Sequence, residues 1–389
     1  MRLRALAAWT VLGGLGAGLT GMATTFSAEL LISASPHGGW PMVLTAAIGG
    51  LLAGLGWWAL RASAPVRTPE QALRDGGALP ALRTLGDGAL QLLAVGTGSS
   101  LGREKAPRQI AGCIQYNLAA GVPDSERRLL LAAAASAGLA AVYNIPFAGA
   151  VFAFEVLRIK KSRRNVAVVI AMSLIAAITA WPVVGNGPFY SFPSPSPTPT
   201  HVLWMALWSL IAAVAGGGLG FLFRRGADYA AAHHTPARWY LPLATALAAT
   251  GVACTALILP QVLGNGFDIV ALAFSQSGSW QIFLALALCK PLLTVACLRA
   301  GAVGGTLTPS LATGAALGAC IALALPHLPA DALSTSGFAL IGAAAVLAAS
   351  QRAPLFAATI AWELTNAPWW MLPLLLISSW GAHYLWSKR

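Results

Sequence analysis

The chain is poor in charge. Asp, Glu, Lys and Arg make up 9% of its 389 residues, against about 25% in ordinary soluble domains. Acids are scarcest, with twelve Asp and Glu in all, so each one carries information. Chemically versatile groups are also sparse. The five cysteines, Cys113, Cys254, Cys289, Cys297 and Cys320, lie in or near apolar segments without any CxxC spacing, as small buried hydrophobes do. Of six histidines only His233 and His234 are neighbours, in a loop. Nothing resembles a zinc site or a nucleophilic triad, and no HExxH, GxSxG or paired-carboxylate arrangement occurs. An enzyme is therefore poorly supported, and no metal or cofactor is expected.

What the chain has instead is apolar length. It is 57% hydrophobic, with a mean hydropathy of +0.70. Apolar runs recur at 5–33, 41–61, 128–157, 166–184, 202–223, 239–260, 280–298, 311–326, 335–350 and 369–386. Several reach the roughly 20 residues that span a hydrocarbon core. Others are short or broken by Gly and Pro, as half-spanning helices buried in protein are. The fold class is thus an all-α polytopic membrane protein with broken and re-entrant helices. The start, MRLRALAAWTVLGGLGAGLTGMA, looks like a secretory signal, but apolar character continues through Phe26, Leu30 and Leu31. It is read as the first membrane helix.

The net charge of +12 suggests nucleic acid until its placement is considered. Basic residues gather at Arg2 and Arg4, at Arg158, Lys160, Lys161, Arg163 and Arg164, at Arg224 and Arg225, and at Lys388 and Arg389. The positive-inside rule accounts for such clusters without a nucleic-acid partner. It places both termini and the 158–164 loop in the cytoplasm, in a bacterial inner membrane. The proline-rich SFPSPSPTPT, 191–200, lacks basic residues and is expected outside.

One glycine-rich turn, GTGSSLGREKAPRQIAG at 96–112, carries a single acid, Glu104, between two apolar stretches. Glycines let backbone approach a ligand closely, and Pro107 suits a helix's first turn. Free N–H groups at a helix start bind anions, so a carboxylate there can occupy an anion's place. A structural N-terminal acid fits the same pattern. The turn has a counterpart. Gly102, Pro107 and Gly112 recur as Gly304, Pro309 and Gly314, 202 residues on. NIPFAGAVFAFEVL, 144–157, and RAPLFAATIAWEL, 352–364, each place Glu nine residues after Pro, at an offset of 208. Such repeats, often inverted, build transporters around a site between the halves. The expected organisation is repeat one over about 1–185, a proline-rich loop over about 186–201 and repeat two over about 202–389.

Only Glu29, Glu104, Glu155 and Glu363 are read in or against apolar segments, where a charge costs about 2.5–3.5 kcal/mol on insertion scales. Glu155 and Glu363 occupy equivalent repeat positions, so they are candidates for a shared structural role, bonding free backbone N–H groups, or for proton movement. Glu104 faces a non-acidic counterpart near Thr306, which favours function.

At these residues the chain resembles the chloride channel and chloride/proton antiporter (CLC) family. GREKAPRQIAG is similar to its GREGP segment, YNIPFAGAVFAFE to FNAPLAGxxFxxE, and LGNGFD at 263–268 to a GGGF-type segment. GAVGGTLTPSLATGAALG at 301–318 resembles GxPGGIFAPxLxxGxxxG, and RAPLFAATIAWELT at 352–365 resembles RAPLTGxxxxxEMT. The resemblance implies a lipid-embedded homodimer with a pore in each subunit and inverted halves, transporting chloride or a similar small anion and in some members protons. It makes Glu104 the gate, flanked by donors of Arg103 and Lys105, with Gly305 and the amides of Thr306 and Leu307 at the central anion site.

Several positions depart from the family. The serine loop GSGIP becomes SAPVR, 63–67, leaving Ser63 as a substitute. The inner proton glutamate position is Val156, and the chain ends soon after Tyr384, the nearest candidate for the pore tyrosine. Lys105 replaces Gly and either attracts anions, favours ionised Glu104 or points to the outer mouth. No regulatory domain is expected. A Glu104-gated passive or weakly coupled anion conductor is favoured. A chloride or fluoride antiporter, a transporter of organic substrates and a membrane-embedded enzyme are the alternatives.

Overall fold

The structure is a computed structural model and describes residues 3–193, 197–275, 277–325 and 335–387. Arg2, Lys388 and Arg389 of the basic clusters, and 194–196 of the proline-rich loop, lie outside the described residues.

Eight helices precede that loop: α1 (Leu3–Ala34), α2 (Gly39–Arg61), α3 (Pro69–Asp75), α4 (Ala81–Gly96), α5 (Lys105–Leu118), α6 (Asp124–Tyr143), α7 (Pro146–Glu155) and α8 (Arg163–Val184). Among the described residues eight follow: α9 (Pro199–Ala232), α10 (Leu241–Ala256), α11 (Phe267–Phe274), α12 (Trp280–Arg299), α13 (Leu307–Ala324), α14 (Thr335–Gln351), α15 (Pro354–Thr365) and α16 (Leu372–Trp386). Six of them, α1, α2, α8, α9, α12 and α13, are long and apolar enough to cross a membrane. The start of the chain is one 32-residue helix packed along α8, so it is a structural member of the bundle.

The arrangement inverts that of a soluble globule. α9 buries Ser209 and Arg224 while exposing Leu203, Leu210, Ile211 and Leu222. That is the pattern expected where lipid surrounds the outer face and polar groups find partners inside. α6 and α14 form the centre. Every residue from Leu129 to Tyr143 and from Thr335 to Ala349 is buried. Both are rich in Ala and other small residues, which let neighbouring backbones come close. Where α13 crosses α14, a side chain at Gly314 would meet the Gly342 carbonyl, and one at Gly342 would meet that of Gly314.

The apolar run 128–157 is divided rather than continuous. α6 ends at Asn144 in the left-handed region (φ 53°), and Pro146 then opens α7. In the other half Arg352 (φ 55°) and Pro354 do the same between α14 and α15. Among the described residues, the four non-glycine residues with positive φ are Asn144, Arg158, Arg352 and Asn366. They fall into two pairs 208 residues apart, so the repeat is written in backbone conformation as well as in sequence.

α7 and α15 lie antiparallel, and each carries the glutamate of its repeat in its last turn. Glu155 accepts the Leu355 and Phe356 amides at 3.2 and 2.6 Å. Glu363 accepts those of Phe147 and Ala148 at 3.0 and 2.7 Å. Each carboxylate thus caps the orphan N–H groups at the start of the other half's helix.

Candidate anion site

The two glycine-rich turns meet at the middle of the fold. Gly102 and Gly305 exchange backbone hydrogen bonds, both 2.8 Å, which brings the starts of α5 and α13 together. Glu104 stands at the N-cap of α5 but makes no side-chain bond to its own helix. Its side chain crosses to the other half. Oε1 accepts the Leu307 amide at 2.9 Å, and Oε2 accepts the Thr308 hydroxyl at 2.9 Å. The residue is fully buried. A carboxylate at the start of an 18-residue helix receives both a direct donor and the positive end of the helix dipole. The main-chain carbonyl of Glu104 accepts Arg108 Nε at 3.1 Å, one turn on.

Space here is provided by glycine. A Cβ on either Gly102 or Gly305 would collide with the Glu104 carboxylate. The expectation of Gly305 as an anion donor is corrected, because its amide is committed to the Gly102 carbonyl. Its contribution is room. Thr306, at the N-cap of α13, accepts Gln351 Nε2 on its hydroxyl at 3.1 Å.

Arg103 and Lys105, on either side of the gate position, face opposite ways. Arg103 lines a cavity of about 450 Å³, together with Glu29, His37, Phe189, Asn265 and Asp268. Its guanidinium lies 5.7 Å from the Phe189 ring and 6.0 Å from that of Tyr143. Lys105 is half-buried and is not among the residues lining that cavity. It lies in the field of Asp87 and Glu70, opposed by Arg108 and Arg61.

Ser63 does not join the site. It is exposed, and its hydroxyl accepts a hydrogen bond from Arg83. Tyr384 is 71% exposed on α16, away from a pore-lining position. Val156 is the half-buried C-cap of α7, with its amide bonded to Phe152.

Asp87 and Lys290 are among the buried charges that escaped the sequence reading. Asp87 is 2% exposed within α4. It accepts Trp57 Nε1 at 3.0 Å, Gln91 Nε2 at 2.8 Å and Gln109 Nε2 at 3.0 Å. Lys290 is fully buried on α12. Its Nζ donates to the carbonyls of Val262 and Gly264 at 2.9 and 2.7 Å, holding the loop that borders the cavity. A lone lysine in the apolar run 280–298 was the available signal.

Residues 57–385 match the sequence profile of the voltage gated chloride channel family. The chain belongs to the CLC family. A CLC relative in Ralstonia nicotianae, named as a chloride channel protein ClcB-like, is 32% identical over 355 residues, covering 87% of this chain and 80% of its own. The H(+)/Cl(-) exchange transporter ClcA of Vibrio vulnificus is 30% identical across 73% of this chain, which spans 62% of that relative. A slow cyanobacterial Cl-/H+ antiporter superposes with a TM-score of 0.84 at 21% identity, over 100% of this chain and 95% of that one. This CLC chain is accordingly a multi-pass membrane protein of anion transport with the CLC architecture of inverted halves, and the site described above is where its halves meet.

Proposed function

We propose that this CLC protein conducts chloride or a similar small inorganic anion, that Glu104 is its gate, and that anion flow is passive or weakly coupled to protons. The seat of the Glu104 carboxylate on the Leu307 amide and Thr308 hydroxyl carries this reading. An anion that leaves water needs replacement donors, and neutral donors at a helix start hold it without trapping it. The ionised carboxylate competes for those donors. Protonation removes its charge and releases them, which links proton binding to anion occupancy at the gate.

A strict exchanger needs a further proton path to the cytoplasmic side. The apolar Val156 and the engagement of Glu155 by two amides support weak coupling. The exchange reading draws on the name of the Vibrio relative. A homodimer with one pathway per subunit, and cytoplasmic termini, belong to the same proposal. The test is simultaneous measurement of anion and proton movement in proteoliposomes. Glu104→Gln is expected to alter anion flux, lose its pH dependence and move no protons. Unchanged flux and pH response in that variant would remove Glu104 from the gate.

A further inference from the structure

Tyr143 ends α6 with its ring buried, at 1% exposure. Its hydroxyl makes no well-aligned hydrogen bond among the described residues, with the Thr308 and Asn265 side chains within its reach. It lies in the field of Glu104 and Arg103. Asn265 and Arg103 both belong to the wall of the cavity. The hydroxyl therefore stands between that cavity and the seat of the gate. A buried hydroxyl without a well-aligned partner is costly, and one aimed at a carboxylate seat is placed for whatever replaces the carboxylate.

Thr308 presents a second hydroxyl to the same place, now engaged with Glu104 Oε2 at 2.9 Å. When the carboxylate leaves, that donor is released. In the family patterns aligned above, FNAPLAG and GGIFAP, these two positions are Phe and Ala. Here both carry hydroxyls, and both hydroxyls converge on one side of Glu104. The two differences are far apart in sequence and adjacent in space.

We infer that Tyr143 and Thr308 form a side-chain donor pair that holds a small inorganic anion beside the Leu307 amide once Glu104 has moved away. The inference rests on the gate reading of Glu104. The ligand is a monovalent halide, because two hydroxyls and one amide offer short neutral donors at one point. Tyr143 receives the anion from the cavity side, and Thr308 passes between carboxylate and anion without a change of partner type.

The test is chloride binding, with KCl as the titrant, to the full-length detergent-purified protein by calorimetry. Glu104→Ala vacates the seat and is expected to bind chloride. On that background Tyr143→Phe and Thr308→Val, both close in shape to the originals, are each expected to weaken binding about tenfold, the loss of one hydrogen bond to a charged acceptor. Thermal unfolding of each variant reports any purely structural role. Chloride affinity unchanged by both substitutions would overturn the donor pair and leave the gate intact. Absence of chloride binding to folded Glu104→Ala would instead overturn the gate reading, and the pair with it.

Discussion

A methyl group at position 305 would stand where the Glu104 carboxylate now lies. Gly305→Ala therefore tests the seat without touching the acid. The displaced carboxylate loses the Leu307 amide and Thr308 hydroxyl, so anion flux is expected to persist while its pH response shrinks by several fold. A flux assay across a pH series reads this directly, and a wild-type response would show that the seat does not govern gating. At this scale the sequence was uneven evidence. Glu104 stood out because it is a lone acid at a broken helix, and chemistry of that kind survives without coordinates. Ser63 misled, since a serine near an expected loop says nothing about where its hydroxyl points. Lys290 and Asp87 were missed because their roles depend on an indole from α2, a side-chain amide from α5 and carbonyls of the 262–264 loop. Tyr143 and Thr308 lie 165 positions apart, and only folding makes them neighbours.

At the level of elements, α7 and α15 are the clearest case of structure carried by charge. Glu363 is 8% exposed and accepts two amides of α7. Glu155 does the same for α15 from a half-buried position. Glu363→Gln keeps the shape but presents an NH₂ to one of those amides. A buried donor left unpaired costs about 1–3 kcal/mol, so the thermal unfolding midpoint in detergent is expected to fall. Glu155→Gln should lower it less, because water reaches that carboxylate. Anion selectivity should stay as in the wild type for both. A selectivity change with full stability would instead assign these acids to the permeation path. The repeat that placed the two glutamates at equal spacing was legible, and so was the structural alternative for them. Their reciprocity was not, because spacing within each half does not tell which backbone a carboxylate reaches.

For the whole molecule, hydropathy was sufficient to predict an all-α polytopic fold, and the clustering of basic residues predicts its sidedness. Lys161 and Ser191 are both exposed and lie on loops expected on opposite sides. With the five native cysteines replaced, Ser191→Cys should react with an impermeant maleimide in intact cells. Lys161→Cys should react only after permeabilisation. The reverse pattern would invert the orientation. Helix boundaries were less legible than helix existence. The break between α6 and α7 rests on a left-handed Asn144, and an apolar run gives no sign of a local backbone reversal of that kind.

The exchange of caps between α7 and α15 also bears on inheritance. Each half carries an acid that its own backbone does not use and lacks the one that it does. A substitution at Glu155 is felt about 200 residues away, in a segment encoded by the other copy of the repeat. The copies are therefore not free to diverge independently. Loss of either glutamate leaves the helix start of the other half uncapped, so each half completes a helix of its twin.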